Sequence, residues 1–380
     1  MIRTQRSGQR RSMEPVRSGL RTLVIAVFGL LLLGVQACGA RGGESGAGQS
    51  TSTVRYGFGI AVQPPGVSPL YALPQGLNYW KDSGLNVEWK GFQGGSPAIQ
   101  ALIAGQVDVI MSSPLTMVTS VAKGADLVAV ATFNNTNDQL PYVLPESPAQ
   151  TPSDLAGKKI GVTSLESETV PMVKALMKSV GVDPDSVTFI ATGGVATEVE
   201  RFVRSGQVDA VVSNINLRQE LEARGTNLRR VSTSQFDQIG WQSNLMMTRK
   251  YFESNRDTVQ KFVTGLVRSH IFADENPEAA VRIFFEQYPD ALPVGQTVEQ
   301  ALPQAVRQVK ARTSQFKSYN GLFVNADPVA IQYYLDLMAD TGALPKRIEE
   351  SQVWDGSLVE PVNANVDEQA VRADARGWRP

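Results

Sequence analysis

Among 380 residues there is one cysteine, Cys38, and one histidine, His270. A single Cys excludes an internal disulfide and any zinc site built from a Cys cluster. A single His excludes paired-His metal motifs and argues against a Ser-His-Asp triad. There is no excess of either charge: 36 Lys and Arg face 37 Asp and Glu, a net charge of −1. A dedicated nucleic-acid binder carries a basic surplus, so that class is set aside. Any chemistry must come from carboxylates, amides, hydroxyls, aromatic rings and backbone, a set that favours holding a ligand over transforming one. What is present is an ordinary globular composition, 42% hydrophobic and 19% charged, too apolar for disorder. The length predicts two domains or one large two-lobed unit.

The amino terminus reads as an address. Arg3, Arg6, Arg10, Arg11, Arg17 and Arg21 precede an apolar run from Leu23 to Val35. Thirteen residues is short for a membrane span and suits the hydrophobic region of a signal peptide. The run ends in Val35-Gln36-Ala37-Cys38-Gly39, which resembles a bacterial lipobox, with Gln36 where a small or aliphatic residue is usual. The expectation is a lipoprotein signal peptide over 1–37 and lipidation of Cys38. The alternatives are a plain secretory signal, a membrane anchor and a twin-arginine leader at Arg10-Arg11. Several acyl chains on one Cys hold a protein stably on a membrane. Losing 1–37 removes six Arg and one Glu, which leaves 30 basic and 36 acidic residues and a net charge of −6. Residues 38–53 are rich in Gly and Ser and read as a flexible tether.

Beyond the tether, strand and helix patterns alternate. Strands are predicted at Val54–Ile60, Leu85–Lys90, Val107–Met111 and Leu127–Phe133, with helices over Pro69–Ser83 and from Ser96-Pro97 to Gly105. The pattern restarts with strands at Lys159–Thr163, Val187–Ala191 and Val208–Ser213, and helices at Glu168–Val180 and Ala196–Ser205. One more strand, Ser243–Thr248, precedes a mainly helical remainder: Arg249–Asn276, Glu278–Gln287, Thr297–Thr313 and Pro328–Thr341. This order predicts an α/β protein with mostly parallel sheets and flanking helices. An internal echo supports two lobes. Gly105-Gln106-Val107-Asp108 and Gly206-Gln207-Val208-Asp209 each follow a helix and open an apolar strand, about 100 residues apart.

Three segments carry a family resemblance: Gly76-Leu77-Asn78-Tyr79-Trp80-Lys81-Asp82-Ser83-Gly84-Leu85-Asn86-Val87-Glu88, Gly94-Gly95-Ser96-Pro97-Ala98-Ile99-Gln100-Ala101-Leu102 through to Asp108, and Asp154-Leu155-Ala156-Gly157-Lys158-Lys159-Ile160-Gly161-Val162. In order and spacing the chain resembles the solute-binding proteins of bacterial ABC importers, within the nitrate/sulfonate/taurine and thiamine-pyrimidine-precursor group. The resemblance implies a two-lobed periplasmic-binding-protein type II fold whose two crossover strands act as the hinge. Lobe one would comprise 54–133 and 243–360, lobe two 143–232, and 361–380 would be a C-terminal tail. It implies capture of a small organic solute outside the cytoplasmic membrane, where a lipid anchor holds the protein, and delivery to an ABC permease and its ATPase. The chain is expected to be a monomer that takes no cofactor, metal or nucleic acid and is not an enzyme. A lipid-anchored sensor and a pyrimidine-synthase-like enzyme are the rival readings. The resemblance implies that the latter depends on His and Cys residues; here the lone Cys stands at the lipobox and the lone His on a late helix.

In open parallel sheets, ligands bind beyond the carboxyl ends of the strands. Applied strand by strand, this rule selects Gln63, Phe92, Gln93, Gly95, Ser96, Ser112, Ser113, Phe133 and Asn134 in lobe one. It selects Ser164, Glu166, Ser167 and Asn214 in lobe two, with Trp241 near the second crossover. The set holds hydroxyls, amides and rings, no Lys or Arg, and one acid. Helix N-termini suit an anion, while rings and amides suit a neutral heterocycle. The absence of a cation tilts the expectation to the heterocycle, a thiamine pyrimidine precursor or a flavin, ahead of taurine or an alkylsulfonate. Each residue also has a plain reading. Gly95 fits a tight turn, Ser96 and Ser113 helix caps, Phe92 and Phe133 the core, Glu166 a solvated loop, and Trp241 hinge packing. His270 is expected to be structural.

Overall fold

The computed structural model describes residues 51–61, 64–137, 139–165, 167–237, 239, 241–316 and 319–380. The leader, Cys38, the tether up to residue 50, Gln63 and Glu166 lie outside the described residues.

Ten strands form two five-stranded sheets. The first is built from β1 (Ser52–Phe58), β2 (Leu85–Gly91), β3 (Val109–Ser112), β4 (Leu127–Thr132) and β10 (Asn244–Thr248), in the order β2-β1-β3-β10-β4. The second is built from β5 (Leu140–Val143), β6 (Lys159–Val162), β7 (Thr188–Ala191), β8 (Ala210–Ser213) and β9 (Arg229–Arg230), in the order β7-β6-β8-β5-β9. In each sheet the first three strands are parallel, and one antiparallel strand lies between the third and the last. That antiparallel strand is the one arriving from the other lobe: β5 enters the second sheet, and β10 returns to the first. Local patterning fits these places. On the edge strand β2, Asn86, Glu88 and Lys90 are exposed, while Leu85, Val87 and Trp89 face the core. Every residue of β4 is buried, as a strand covered on both faces requires.

The echo in the sequence has a structural cause. α3 (Gly95–Ile103) is followed by Gly105, and α6 (Ala196–Arg204) by Gly206; both glycines have φ of 68°, a left-handed turn that favours Gly. The Asp three residues after that glycine then ties its strand to a parallel neighbour in its own sheet, β3 to β1 and β8 to β6. Asp108 accepts the Arg55 backbone N–H at 2.8 Å, and Asp209 accepts that of Lys159 at 2.8 Å.

Shorter helices α1 (Ala72–Gly76) and α2 (Tyr79–Asp82) replace the single helix predicted over Pro69–Ser83. Asn78, left-handed with φ of 56°, breaks the run between them. The other helices of the two sheets are α4 (Pro114–Ala122), α5 (Thr169–Ser179), α7 (Ile215–Ala223) and α8 (Ser234–Asp237). After β10 come α9 (Arg249–Ser254), α10 (Arg256–Glu275), α11 (Pro277–Gln287), α12 (Val298–Gln315), α13 (Pro328–Asp340), α14 (Val359–Ala364) and α15 (Glu368–Gly377). Asn255 divides the predicted Arg249–Asn276 helix into α9 and α10. On α10, Gly265 lets the Trp80 indole lie against the helix, stacked on Phe262 at 4.9 Å and donating to the Phe262 carbonyl at 3.0 Å. The last twenty residues, expected as a tail, include α15, which buries Val371 and Ala375 against the core and pairs Arg372 with Asp274 and Glu275 of α10. Met172 and Leu176 of α5 in the second lobe share a buried apolar cluster with Leu337 and Met338 of α13 in the first, and two hydrogen bonds also link the lobes. Lys178 at the end of α5 donates to the Asp340 carbonyl of α13 at 2.6 Å, and Gln219 of α7 donates to the Arg307 carbonyl of α12 at 3.3 Å.

Candidate functional site

The carboxyl ends of β1 and β3 and the two crossovers border a cavity of about 270 Å³ that is partly open to solvent. Its lobe-one wall is made of small residues. A Cβ on Gly95 would lie 2.7 Å from Ser112 Oγ and 3.3 Å from Thr116 Oγ1, and one on Gly59 would lie 3.4 Å from the same Ser112 oxygen. The missing side chains bring backbone amides up to the cavity. α3 starts at Gly95 behind Gly94, and α4 starts behind Ser113; neither N-terminus has a side-chain cap. The first N–H groups of a helix have no partner within it, and the helix dipole makes that end attractive to negative charge.

The remaining walls carry functional groups. Gln242 and Ser243 belong to the second crossover and Gln139 to the first; Glu168 stands at the start of α5 and Arg312 on α12. Gln139 donates to Glu168 Oε1 at 3.1 Å. The crossovers are paired with each other: Phe133 N–H donates to the Ser243 carbonyl at 2.7 Å, and Gln242 N–H to the Asn134 carbonyl at 3.0 Å. Beside this hinge runs an aromatic stack. Phe316 lies 5.6 Å from Phe133, 5.3 Å from Phe323 and 4.4 Å from the His270 ring. Burial, reinforced by the nearby charge of Arg312, pushes the His270 pKa down to about 3 against the weaker opposing effect of its contact with the Leu266 carbonyl. The ring is neutral and structural, as expected.

Of the residues selected from the sequence, Gly95, Ser112 and Ser113 line this cavity. Ser113 stands at the N-cap position of α4 but makes no capping bond, and Ser96 lies inside α3 rather than at its cap. Ser96 and Gln93 are exposed, and Phe92 is half-buried against the core with Lys90 5.3 Å from its ring centroid. Phe133 and Trp241 require correction as site residues. Both are fully buried, Phe133 in the stack just described and Trp241 edge-on to Tyr334 at 6.0 Å, so neither presents a face to a ligand. Asn134 is spent on a turn, accepting from the N–H and the hydroxyl of Thr136, both at 2.8 Å. Asn214 caps α7 by accepting the Leu217 N–H at 3.0 Å. The Ser167 hydroxyl bonds that of Thr169, and Ser164 accepts the Ser167 N–H at 3.2 Å; neither lines the cavity.

Arg312 adds to this cavity's wall a cation that the set chosen from the strand ends lacked. It extends the buried stripe of Ala301, Ala305 and Val309 on α12, and a cation on an apolar helix face is the signal that strand-end reasoning passes over. Gln139, Glu168 and Gln242 were missed for a related reason, since none directly follows a predicted strand.

A family model described as NMT1/THI5 like matches residues 65–280. The chain belongs to this family. The NMT1/THI5-like chain is also similar in fold to the periplasmic aliphatic sulphonate binding protein SsuA of Escherichia coli, with a TM-score of 0.60 and 19% identity over 80% of this chain and 97% of that one. The alkanesulfonate-binding SsuA of Xanthomonas axonopodis, bound to MOPS, gives 0.55 and 18% over 82% and 98%. The nitrate-binding protein NrtA of Synechocystis gives 0.59 and 14% over 85% and 91%. These likenesses establish the two-lobed periplasmic-binding-protein fold. No curated protein sequence is similar enough to this NMT1/THI5-like chain to count as a relative.

Proposed function

We propose that this protein is the extracytoplasmic solute-binding component of an ABC importer and that it captures a small organic anion of the sulfonate type between its lobes. The observation that carries the reading is Arg312 in a cavity that also receives two uncapped helix N-termini. Together they supply positive potential at one point; Glu168 in the same wall, held by a bond from Gln139, keeps its negative charge on the other side of the balance. The anionic ligands named for the structural neighbours, sulfonates and nitrate, agree with that polarity. The volume, about 270 Å³, falls just under the range of drug-sized pockets and favours a small solute over a flavin.

Ligand contacts made to both lobes would hold them closed, because only differential affinity for the closed form shifts the population. The permease would then take the solute from the closed protein. A thermal-shift and calorimetric screen of ethanesulfonate, taurine, nitrate, a pyrimidine and riboflavin tests the ligand class. A ligand at 100 times its Kd stabilises by about 2.7 kcal/mol. Ethanesulfonate or taurine is expected to give the shift; a shift with the pyrimidine or riboflavin alone would overturn the anion assignment.

Lipidation at Cys38 completes the proposal, with 1–37 as signal peptide, 38–53 as tether and the body held at the outer face of the membrane as a monomer. Cys38→Ala is expected to release the protein from the membrane fraction, and unchanged attachment would refute the anchor.

A further inference from the structure

We infer that Gln242 is the residue by which the hinge itself senses the solute, and that it makes a hydrogen-bond acceptor on the ligand a condition of tight binding. The inference rests on the functional reading above and adds the chemical group the ligand must present.

Gln242 lies on the second crossover, where its backbone N–H donates to the Asn134 carbonyl of the first crossover at 3.0 Å. The residue is only 7% exposed, yet its side-chain Nε2 is buried and has no acceptor. Polar atoms without partners concentrate along these crossovers: Asn137 Oδ1, Trp241 Nε1 and Asn244 Oδ1 are also buried and unmatched. Of these four residues, Gln242 lines the cavity. A buried amide left unpaired is costly, so such a group persists where something else repays it. A ligand oxygen at the hinge end of the cavity would do so. A terminal amide offers a donor at one end and an acceptor at the other, and an anionic group selects the donor end.

Two consequences follow from the position. Gln242 is fixed to the segment about which the lobes must turn, so a ligand bonded to it is bonded to the hinge and not only to one lobe. A solute that stops at the rim, or that reaches the hinge with an apolar end, leaves the amide unpaired inside a closed cavity. Sites built on buried polar groups reject analogues lacking the matching atom far more strongly than apolar sites reject a missing methylene.

The test uses the exported chain with Gln242→Met and Gln242→Glu, titrated calorimetrically with ethanesulfonate and taurine, alongside ligand-free melting curves. Methionine keeps the shape of the side chain and removes the hydrogen bond. It is expected to weaken binding by about tenfold to a hundredfold, with a ligand-free Tm equal to or above wild type. Glutamate places a carboxylate against the anion and is expected to weaken binding further than methionine does. Wild-type affinity in Gln242→Met overturns the inference, as does a lowered ligand-free Tm that accounts for the lost binding. If the unaltered protein binds neither sulfonate, the functional reading fails, and the inference falls with it.

Discussion

Asp108 and Arg55 exchange a reciprocal pair of bonds: the Asp108 carboxylate accepts the Arg55 backbone N–H at 2.8 Å, and the Asp108 N–H donates to the Arg55 carbonyl at 2.8 Å. Asp209 and Lys159 do the same in the other lobe, at 2.8 Å and 2.8 Å. The Asp of each repeated motif is thus a clamp that registers one strand on its parallel neighbour, β3 on β1 and β8 on β6.

The two clamps are not equally strong. Asp108 also receives the Arg55 guanidinium and keeps a side chain 12% exposed, whereas Asp209 is solvent-exposed. Hydrogen bonds to a charged group contribute about 1.5–3 kcal/mol when sheltered and less in water. Asp108→Ala is expected to cost about 2 kcal/mol and Asp209→Ala about 1 kcal/mol. Urea unfolding of the two variants checks the ranking, and an equal or reversed cost would show that burial does not set it.

Arg312 should set the affinity for an anionic ligand. Arg312→Met is expected to weaken ethanesulfonate binding by about tenfold to a hundredfold, the value of a charge-assisted bond. Arg312→Lys keeps the charge without the planar fork and should fall between Met and wild type. Calorimetry reads all three, and unchanged affinity in the Met variant would remove the cation from the site.

Gly265 of α10 faces the Trp80 indole, where an added Cβ would sit 2.7 Å from two of its atoms. Overpacking costs about 1–3 kcal/mol, while alanine regains about 1 kcal/mol of helix propensity over glycine. The indole cannot yield, since it is stacked on Phe262 and bonded to its carbonyl. Gly265→Ala is therefore expected to destabilise by about 1 kcal/mol net, seen as a lower melting temperature. A rise would mean that the indole moves aside.

Acid should loosen the first lobe through His270. The folded chain holds the ring neutral down to about pH 3, whereas an unfolded ring takes its proton near pH 6.5. Unfolding therefore binds a proton between these values. The stabilisation from this group is full above about pH 6.5 and is lost as pH falls toward about 3, at up to ~1.4 kcal/mol per pH unit. Between pH 7.5 and 5 the wild type should lose about 2 kcal/mol more than His270→Leu. Paired urea titrations at the two pH values measure it, and parallel losses would exclude the histidine as the source.

Much of the architecture was legible because period and punctuation agree with it. β2 alternates, β4 is apolar from Leu127 to Ala131, and Gly105 and Gly206 end their helices where the sequence says they should. The site was legible only where it follows the strands, at Gly95, Ser112 and Ser113. The strand-end rule sees a neighbourhood in sequence, but Arg312 reaches the cavity from a helix nearly 200 residues beyond Ser113. Phe133 and Trp241 misled in the opposite sense. A ring beside a crossover reads alike whether it faces ligand or core, and only packing against Phe316 and Tyr334 distinguishes the two.

The exchanged strand also orders events in time. β10 lies between β3 and β4, so the centre of the first sheet is filled by a segment that follows the whole second lobe in the chain. Until Asn244–Thr248 emerges from the ribosome or a translocation channel, β3 and β4 expose facing edges, and β4 is apolar from Leu127 to Ala131. The first lobe cannot mature before the second has been made. A chain halted between the lobes would present a sticky, unfinished sheet, the form in which a chaperone would meet it.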